Sequence, residues 1–333
     1  SWKGGTGVAP ELPVPQEDKW EMVKIKIPSA INVNDWGRGS NVGEGTRNPY
    51  TPSSVYYPSY PDNWKHIRMG WLRKSFHVPV GWDGKRLLLH FEAVAGDCVV
   101  LVNGKEVCHN FDSHLPFDAD ISDYVNRDAD NELLVGVRHT KLFDKSHSVY
   151  TKMGATYPTG SNTDDLIGIW QDVYLVGVPE VRIVDVFVQP WVDKNELVLE
   201  IALINLSSKS KKITLNGVVK EWVNHAGKDV LTAPEINWSL GETALTVPSE
   251  PIILRAGESK TVTVRQKVDN CLKYWTPDTP NLYTLLLSLG DKKQTYDCKA
   301  TRFGWRQFKI VGDEFQLNGK KIQCFGDICV CVV

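Results

Sequence analysis

The sequence lacks the features that mark membrane-spanning and polyanion-binding proteins. Its 38 basic side chains are offset by 40 acidic ones, so the formal net charge is −2 over 333 residues. A chain without a basic excess has no long-range field that would attract nucleic acid or anionic lipid, and we predict neither as a partner. No apolar run approaches the roughly 20 residues of a membrane helix, and the first residues do not form a charged-then-apolar export signal.

Cysteine is scarce and its number is odd. At this chain length seven cysteines do not form a disulfide framework. Cys98 and Cys108 flank Asn103-Gly104 and are either bridged across that turn or, as we expect, two small buried apolar side chains. Cys324, Cys329 and Cys331 lack the paired C-x-x-C spacing of a zinc site and have no nearby histidine, so we predict no metal there.

The motifs of several common enzyme chemistries are also missing. The sequence contains no nucleotide-binding glycine pattern, no HExxH and no GxSxG. We therefore predict no cofactor and no metal ion. Glu92 and Glu314 lie in predicted strands, and we interpret both as solvated strand carboxylates rather than catalytic acids.

What the sequence does contain is β-strand patterning almost throughout. Leu87, Leu89 and Phe91 recur with the period of two that is typical of a half-buried strand. Asn103-Gly104 and Asn318-Gly319 are the dipeptides preferred by type I′ turns, because both central residues need positive φ, and each predicts a hairpin. Short strands with turn signals about every ten residues indicate antiparallel sandwiches.

The chain is too long for one ordinary core and predicts more than one domain. A second run of strand patterns, with Leu197, Leu199, Ile201 and Leu203 on one face, follows the proline-containing corner at residues 177–180. We predict an all-β protein with a sandwich at residues 1–180, a second sandwich at 181–302 and a short third segment at 303–333.

Two long loops interrupt this pattern, at residues 32–67 and 141–167. Long ordered loops on a rigid sandwich are where binding groups usually lie. The aromatic side chains of the first loop either pack onto their own sheet or contact a ligand. They are Trp36, Tyr50, Tyr56, Tyr57, Tyr60 and Trp64.

A series of motifs, taken in chain order, resembles glycoside hydrolase family 2, which includes β-galactosidases, β-glucuronidases and β-mannosidases. The resemblance covers nearly the whole chain, and its strength lies in the order and spacing of motifs that are weak one by one. The motifs are GWLRKSF (70–76), VNGK (102–105), PFDADI (116–121), GIWQDVYL (168–175), WTPDTPNLY (275–283), FGWR (303–306) and LNGK (317–320).

The resemblance implies a jelly-roll, galactose-binding-like sandwich, then an immunoglobulin-like sandwich, then the truncated beginning of a (β/α)8 barrel at residues 303–333. Family members cleave β-glycosides with retention, using two glutamates about 5 to 5.5 Å apart. Both glutamates lie on later barrel strands in the family, so no residue of this chain inherits either role. We expect the chain to be inactive alone, as the non-catalytic part of a β-galactosidase-like enzyme. The alternatives are a β-glucuronidase or β-mannosidase parent, or a free-standing carbohydrate-binding module.

The resemblance also implies candidate sugar contacts just before the strand that begins near Gly168. Some family members supply an acidic or amide side chain to the sugar from this position. Asn162, Asp164 and Asp165 stand there in this chain, and they are either sugar ligands or members of a polar turn. The family usually has arginine where this chain has Gln171.

Partners and location follow only from the resemblance. It implies a β-glycoside as the partner of the full-length enzyme, is compatible with a homo-oligomer, and favours a periplasmic or secreted bacterial protein over a cytoplasmic one. The residues that select the sugar would lie mostly on barrel loops. The apolar tail at residues 328–333 departs from the polar segment that the family has next, so we expect a truncated or frame-shifted end and a poorly packed first barrel strand.

Overall fold

The computed structural model describes residues 12–21, 25, 27–28, 30–32, 62–110, 115–139, 167–225 and 237–323. The chain divides into two compact units, Ser1–Val178 and Pro179–Val333. In these described ranges the helices are short 3-10 turns, and nearly everything else that is regular is β-strand. No helix in this part of the chain is long and apolar enough to cross a membrane.

The first unit is a sandwich of two antiparallel sheets. One sheet has the strand order β1-β6-β3-β4 and the other has the order β5-β2-β7. The strands are β1 (Met69–Phe76), β2 (Arg86–Phe91), β3 (Asp97–Val102), β4 (Lys105–Asn110), β5 (Phe117–Asp120), β6 (Asn131–Arg138) and β7 (Val173–Val178).

The core of this unit lies between the two sheets, as the sequence pattern predicts. Leu87, Leu89 and Phe91 of β2 are at most 3% exposed and share one cluster with Val135 and Val137 of β6. Side chains that alternate along a strand reach the same face, so facing strands of the two sheets bury a common apolar layer. The jelly-roll sandwich is confirmed.

The two cysteines of the first hairpin are not bridged. Cys98 is fully buried, both thiols are free, and burial raises the pKa of each. The strand register places Val100, rather than Cys98, opposite Cys108. Cys98 is a small buried side chain, as expected, whereas Cys108 is only half-buried.

The second unit is an immunoglobulin-like sandwich with a small additional sheet. Its two main sheets have the orders β11-β10-β13-β14 and β12-β9-β8, and the additional sheet has the order β15-β16-β17. The strands are β8 (Val181–Trp191), β9 (Glu196–Asn205), β10 (Lys211–Asn224), β11 (Trp238–Leu254), β12 (Ser259–Lys267), β13 (Leu282–Gly290), β14 (Thr295–Phe303), β15 (Phe308–Val311), β16 (Glu314–Leu317) and β17 (Lys320–Lys321).

The core of the second unit also matches its sequence pattern. Leu197, Leu199, Ile201 and Leu203 are at most 1% exposed and belong to a single cluster. Trp305, which follows β14, is in the same cluster and is 3% exposed. The immunoglobulin-like sandwich is therefore confirmed.

Both predicted Asn-Gly hairpins are present. The φ angles are 50° and 77° at Asn103-Gly104 and 51° and 78° at Asn318-Gly319, which is the left-handed region that a type I′ turn requires at both positions. The first turn joins β3 to β4 and the second joins β16 to β17. The expected first barrel strand, with Cys324, Cys329 and Cys331, lies outside the described residues.

Candidate functional site

The two long loops of the first unit leave the sandwich at the same end. β1 begins at Met69, β3 begins at Asp97 and β6 ends at Arg138, and the register pairs both Met69 and Asp97 with Arg138. Residues 33–61 precede β1 in the chain and residues 140–166 follow β6. Because the three strands are neighbours in one sheet, the chain enters and leaves both segments beside this strand end.

Hydrogen bonds join the flanking residues of one segment to those of the other. The backbone N–H of Ile31 donates to the carbonyl of Ile167 at 2.8 Å. The N–H of Ile167 donates to Oδ1 of Asn32 at 2.9 Å. On the other side of the segments, the N–H of His139 donates to the carbonyl of Arg68 at 2.6 Å. The start of the first segment is thus bound to the end of the second, and the end of the first segment is bound to the start of the second.

A short stretch at the start of β3 connects these pairs. The N–H of Ala95 donates to the carbonyl of Gly168 at 2.8 Å, next to Ile167. Gly96 has φ +103°, and a Cβ added there would lie 2.3 Å from the carbonyl oxygen of Arg138. Only glycine tolerates both the backbone conformation and this approach.

A buried charge cluster fixes the same stretch. Asp97 is fully buried, and its Oδ2 accepts from Arg138 Nε at 2.7 Å and lies 2.5 Å from Arg138 Nη2. Its Oδ1 lies 2.5 Å from His109 Nε2. A buried carboxylate must be paired to offset the cost of its desolvation, so these three side chains stabilise one another. We call residues Ala95, Gly96, Asp97, His109 and Arg138 the anchor cluster.

The predicted sugar contacts cannot be placed. Asn162, Asp164 and Asp165 lie outside the described residues, so their role stays a prediction. They precede Ile167 in the chain, which is one of the four hydrogen-bonded flanks. The aromatic segment of the first loop also lies outside the description, apart from its ends.

The anchor cluster is not among the residues predicted above, although the sequence contains a signal for it. Asp97 is the one charged residue in the apolar run at positions 93–102. A single carboxylate in a run that is otherwise buried indicates a paired charge, since an unpaired one would be too costly. The partners at positions 109 and 138 could be identified only from the strand register.

A cleft of about 920 Å³ runs along β1, from Met69 to Phe76. Its walls are mainly apolar, and they include Trp20, Trp64 and Trp71. Arg73 also lines it, but Glu17 Oε1 accepts from its Nη1 at 2.7 Å and Glu132 lies 2.6 Å from its Nε. The hydrogen bond that Arg73 donates to Glu17 raises the pKa of Arg73. Lys19, Lys74 and Asp172 also line the cleft, so charged groups interrupt its mainly apolar walls.

Of the two glutamates considered in the sequence, Glu92 is exposed and Glu314 is half-buried. Glu92 follows β2 and lies 3.5 Å from His90, and Glu314 in β16 pairs with Lys321 at 2.6 Å. In the part of the chain that the structure describes, no group of three or more His, Cys, Asp or Glu side chains could hold a metal ion.

Comparison with family models gives two matches that together span most of the chain. Residues 11–179 match the sugar-binding domain of glycosyl hydrolases family 2. Residues 181–306 match a second model of glycosyl hydrolases family 2.

Curated relatives are similar along the same stretch. The β-galactosidase of Priestia megaterium is 23% identical over 92% of this chain and 26% of its own length. The β-galactosidase of Streptococcus thermophilus is 25% identical over 92% of this chain and 26% of its own length. A β-glucuronidase of Formosa agariphila is 23% identical over 77% of this chain and 25% of its own length. This chain therefore spans about a quarter of these relatives.

Solved structures share the fold. The β-glucuronidase of Bacteroides uniformis superposes with a TM-score of 0.62 at 22% identity, covering 92% of this chain and 31% of that one. A β-galacturonidase from Eisenbergiella tayi, bound to galacturonate, gives a TM-score of 0.59 at 21% identity and covers 79% of this chain and 40% of that one. At this level of identity the comparison concerns the fold alone.

Proposed function

Because the chain belongs to family 2 of the glycosyl hydrolases, we propose that it is the non-catalytic N-terminal part of a retaining β-glycosidase. In this proposal the first unit supplies sugar contacts to an active site that is formed elsewhere in the full-length protein. The second unit connects it to the catalytic domain. The two catalytic glutamates of the family's mechanism would belong to that domain.

One observation supports a sugar-binding role: the residues that flank both long segments lie at the same end of the strands. Hydrogen bonds between Ile31, Asn32 and Ile167, and between Arg68 and His139, hold the flanks of the two segments together. A rigid framework with variable segments at one end is a common arrangement for a binding site. Asp164 and Asp165 are the proposed ligands, because a carboxylate can accept hydrogen bonds from two neighbouring hydroxyl groups.

We propose a β-galactoside as the substrate of the full-length enzyme. The support is that the curated relatives from P. megaterium and S. thermophilus are both β-galactosidases. The β-glucuronidase names among the other relatives make a β-glucuronide the main alternative. A periplasmic or secreted location is part of the same proposal, and cell fractionation with an antibody to this chain tests it.

Assays of the chain alone and of the full-length protein test the proposed division of labour. The 333-residue chain should hydrolyse nitrophenyl β-galactoside and nitrophenyl β-glucuronide only at the rate of buffer. The full-length protein should hydrolyse the galactoside faster than the glucuronide. Turnover by the chain alone would refute the non-catalytic role, and the reverse preference would refute the galactoside.

Substitutions in the full-length protein test the proposed ligands. Asp164→Ala or Asp165→Ala should raise KM roughly tenfold, which corresponds to the loss of one or two hydrogen bonds to the sugar. Asp128→Ala is the matched control, because Asp128 is an exposed carboxylate in the turn before β6, at the opposite end of that strand. Equal effects of all three changes, or no effect of the first two, would contradict the assignment.

The free-standing carbohydrate-binding module stays an alternative. Its basis is the aromatic-rich loop at residues 32–67, since exposed aromatic rings can stack on sugars. Calorimetric titration of the 333-residue chain with millimolar galactose or glucuronate separates the two proposals. Tight binding by the chain alone would favour the module. Heat that appears only with the full-length protein would favour the proposed part of an enzyme.

A further inference from the structure

The outer face of the sheet β11-β10-β13-β14 carries a pair of tryptophans. Side chains of β10 that alternate with the buried Val219 point away from the core, and Trp222 is one of them. The register pairs Trp222 with Leu240 and Asn224 with Trp238, so both tryptophans lie on this outer face. Their rings stack with centroids 6.2 Å apart, yet Trp238 is 45% exposed. A large aromatic ring therefore remains accessible to solvent on this sheet.

Two basic side chains lie beside this pair. The register places Lys220 opposite Thr284 and Thr284 opposite Arg302, so the three form one row across β10, β13 and β14. The guanidinium carbon of Arg302 lies 4.9 Å from the centroid of the Trp222 ring. Among the residues that the structure describes, neither Arg302 nor Lys220 forms an ion pair with a carboxylate. We call Lys220, Trp222, Trp238 and Arg302 the aromatic-basic surface.

Another tryptophan of the same unit shows a group of this kind in which the carboxylate is present. Trp191 has two basic neighbours, Lys194 with its Nζ 3.8 Å from the ring centroid and Arg265 with its guanidinium carbon 5.1 Å from it. Arg265 also pairs with Glu196 at 3.1 Å. Within the described part of the chain, Arg302 has no such carboxylate, so its charge can pair with an acidic ligand.

A groove of about 510 Å³ continues along the same face of the sheet. Its apolar part includes Val218, Leu286 and Ala300, which the register places in one row, two positions along β10 from the basic row. Asn216 and Ser249 add polar groups, and the hydroxyl of Ser249 donates to Oδ1 of Asn216 at 2.6 Å. A pyranose ring has apolar faces and a rim of hydroxyl groups, so a groove that combines apolar and polar side chains suits an oligosaccharide.

We infer that the aromatic-basic surface and this groove form a binding site for an acidic oligosaccharide that contains uronic acid residues. A pyranose ring would stack on the exposed indole of Trp238. A uronate carboxylate would accept hydrogen bonds from the guanidinium of Arg302 and pair with Lys220. The next sugar residues would lie in the groove. The inference does not rest on the proposed function, because every residue that carries it belongs to the second unit and its contacts are described.

The charges of this surface argue against two other occupants. A second copy that docked face to face would bring its own Lys220 and Arg302 against the same pair, and like charges at an interface are unfavourable. A nucleic acid needs a longer track of basic side chains than these two, and the chain has a net charge of −2. An acidic sugar matches both the small positive area and the aromatic ring beside it.

Titration of the 333-residue chain with tetrasaccharides tests the inference. Tetragalacturonate and a hyaluronan tetrasaccharide are the acidic probes, and galactotetraose is the neutral one. Tryptophan fluorescence should show that at least one acidic probe binds with a Kd on the order of 1 mM or tighter, and roughly tenfold tighter than galactotetraose. Because the contact is ionic, about 1 M NaCl should weaken it. Failure of both acidic probes to bind, or equal binding of the neutral one, would overturn the inference.

Substitutions show whether the binding occurs on this face. Trp238→Ala and Arg302→Gln should each raise the Kd of the acidic probe roughly tenfold, since one removes the stacking ring and the other the guanidinium. Trp238→Tyr, which keeps a ring, should restore part of the affinity. Phe187→Ala and Lys260→Gln are the matched controls, because both residues are exposed on the opposite sheet, and they should leave the Kd unchanged. Binding that persists in both Trp238→Ala and Arg302→Gln would come from another part of the chain and would contradict the assignment.

Three further outcomes would identify another occupant and overturn the inference. Binding by the 333-residue chain that is absent from the full-length protein would show that another domain covers this face. A dimer that Trp238→Ala dissociates in light scattering would assign the face to a second copy. Tighter binding of an oligothymidylate than of the acidic probes would assign it to nucleic acid. None of these measurements uses glycosidase activity, so an inactive full-length protein would refute the proposed function and leave this inference standing.

Discussion

Asp120, at the end of β5, accepts hydrogen bonds from two neighbours. Arg86 donates to its Oδ2 from Nε at 3.2 Å and from Nη2 at 2.9 Å. Ser122 donates to its Oδ1 from the backbone N–H at 3.0 Å and from Oγ at 2.5 Å. Burial alone would raise the pKa of Asp120, but the hydrogen bonds from Ser122 and the charge of Arg86 outweigh it, and the pKa lies below its usual value.

This lowered pKa predicts a pH-dependent contribution to stability. A carboxyl group whose pKa is lower in the folded state stabilises the fold above its unfolded pKa of about 4, and the contribution is lost as the pH falls through the folded pKa. Asp120→Asn should therefore lower the free energy of unfolding by about 1 kcal/mol at pH 7. Urea unfolding at pH 7 and at pH 3 measures the difference, which should shrink at the lower pH.

Asp123→Asn is the matched control for this prediction. Asp123 also contacts Arg86, at 3.1 Å, but its side chain is 75% exposed. Solvent screens such a pair, so the control should have a smaller effect at pH 7. A difference between Asp120→Asn and the original chain that is the same at both pH values would show that the charge of Asp120 is not responsible.

Other contacts at the scale of single residues could not be predicted from the sequence. Gly177 in β7 lies beneath Trp82, and a Cβ at that position would be 2.7 Å from the indole ring. The sequence shows a glycine and a tryptophan that are 95 positions apart (177 − 82). Their contact depends on the register between β2 and β7, which a single sequence does not determine.

At the scale of elements, the turns were the most predictable features, because their chemistry is local. The Asn-Gly dipeptides at 103–104 and 318–319 both form hairpins with positive φ. The sequence did not reveal that the side chains of both asparagines also form hydrogen bonds with residues that are distant in the sequence. Asn103 donates from Nδ2 to the carbonyl of Tyr124 at 2.8 Å, and its Oδ1 accepts from the N–H of Glu132 at 2.9 Å.

This second role predicts an unusual result for the substitution Asn103→Gly. Glycine favours positive φ, so the turn itself should be preserved. The loss of the amide removes the hydrogen bonds to Tyr124 and Glu132 and a third one to Oδ1 of the buried Asn131, so the free energy of unfolding should fall by about 2 kcal/mol. Asn195→Gly is the control, because Asn195 also has positive φ, at 53°, but uses its backbone N–H. Chemical denaturation that shows equal stability for Asn103→Gly and the original chain would contradict the role of the amide.

Strand patterns were predictable where one face is buried, and the long loops were not. Alternation in β2 and β9 identified core residues correctly, because a half-buried strand repeats every two residues. The loop at 141–167 contains polar and aromatic residues that follow no regular period. Because periodicity is the main signal for secondary structure, its residues suggest a function but do not predict its conformation.

At the scale of the whole molecule, each unit has a core of its own. The apolar cluster of the first unit and that of the second share no residue. Domains with separate cores generally unfold in separate transitions. The number of sandwiches could be predicted from the order of strand and turn signals and from the family motifs. The function could not be predicted from the residues alone, since a β-sandwich hosts many activities.

A substitution in the anchor cluster tests this independence. Asp97→Asn removes the charge that pairs with Arg138, which is 8% exposed, and should destabilise the first unit by about 3 kcal/mol. Differential scanning calorimetry should then show one transition at a lower temperature and the other unchanged. Equal shifts of both transitions would indicate that the units unfold together.

The hydrogen-bonded flanks of the two long segments have a consequence for the evolution of this protein. Since Ile31, Arg68, His139 and Ile167 are fixed by backbone hydrogen bonds, the sandwich does not depend on the length of what they enclose. Doubling a closed loop costs only about 0.6 kcal/mol in chain entropy. Insertions, deletions and exchanges between positions 33–61 or 140–166 should thus be inherited at little cost to folding. These two stretches are natural sites for grafting segments from relatives with another sugar preference.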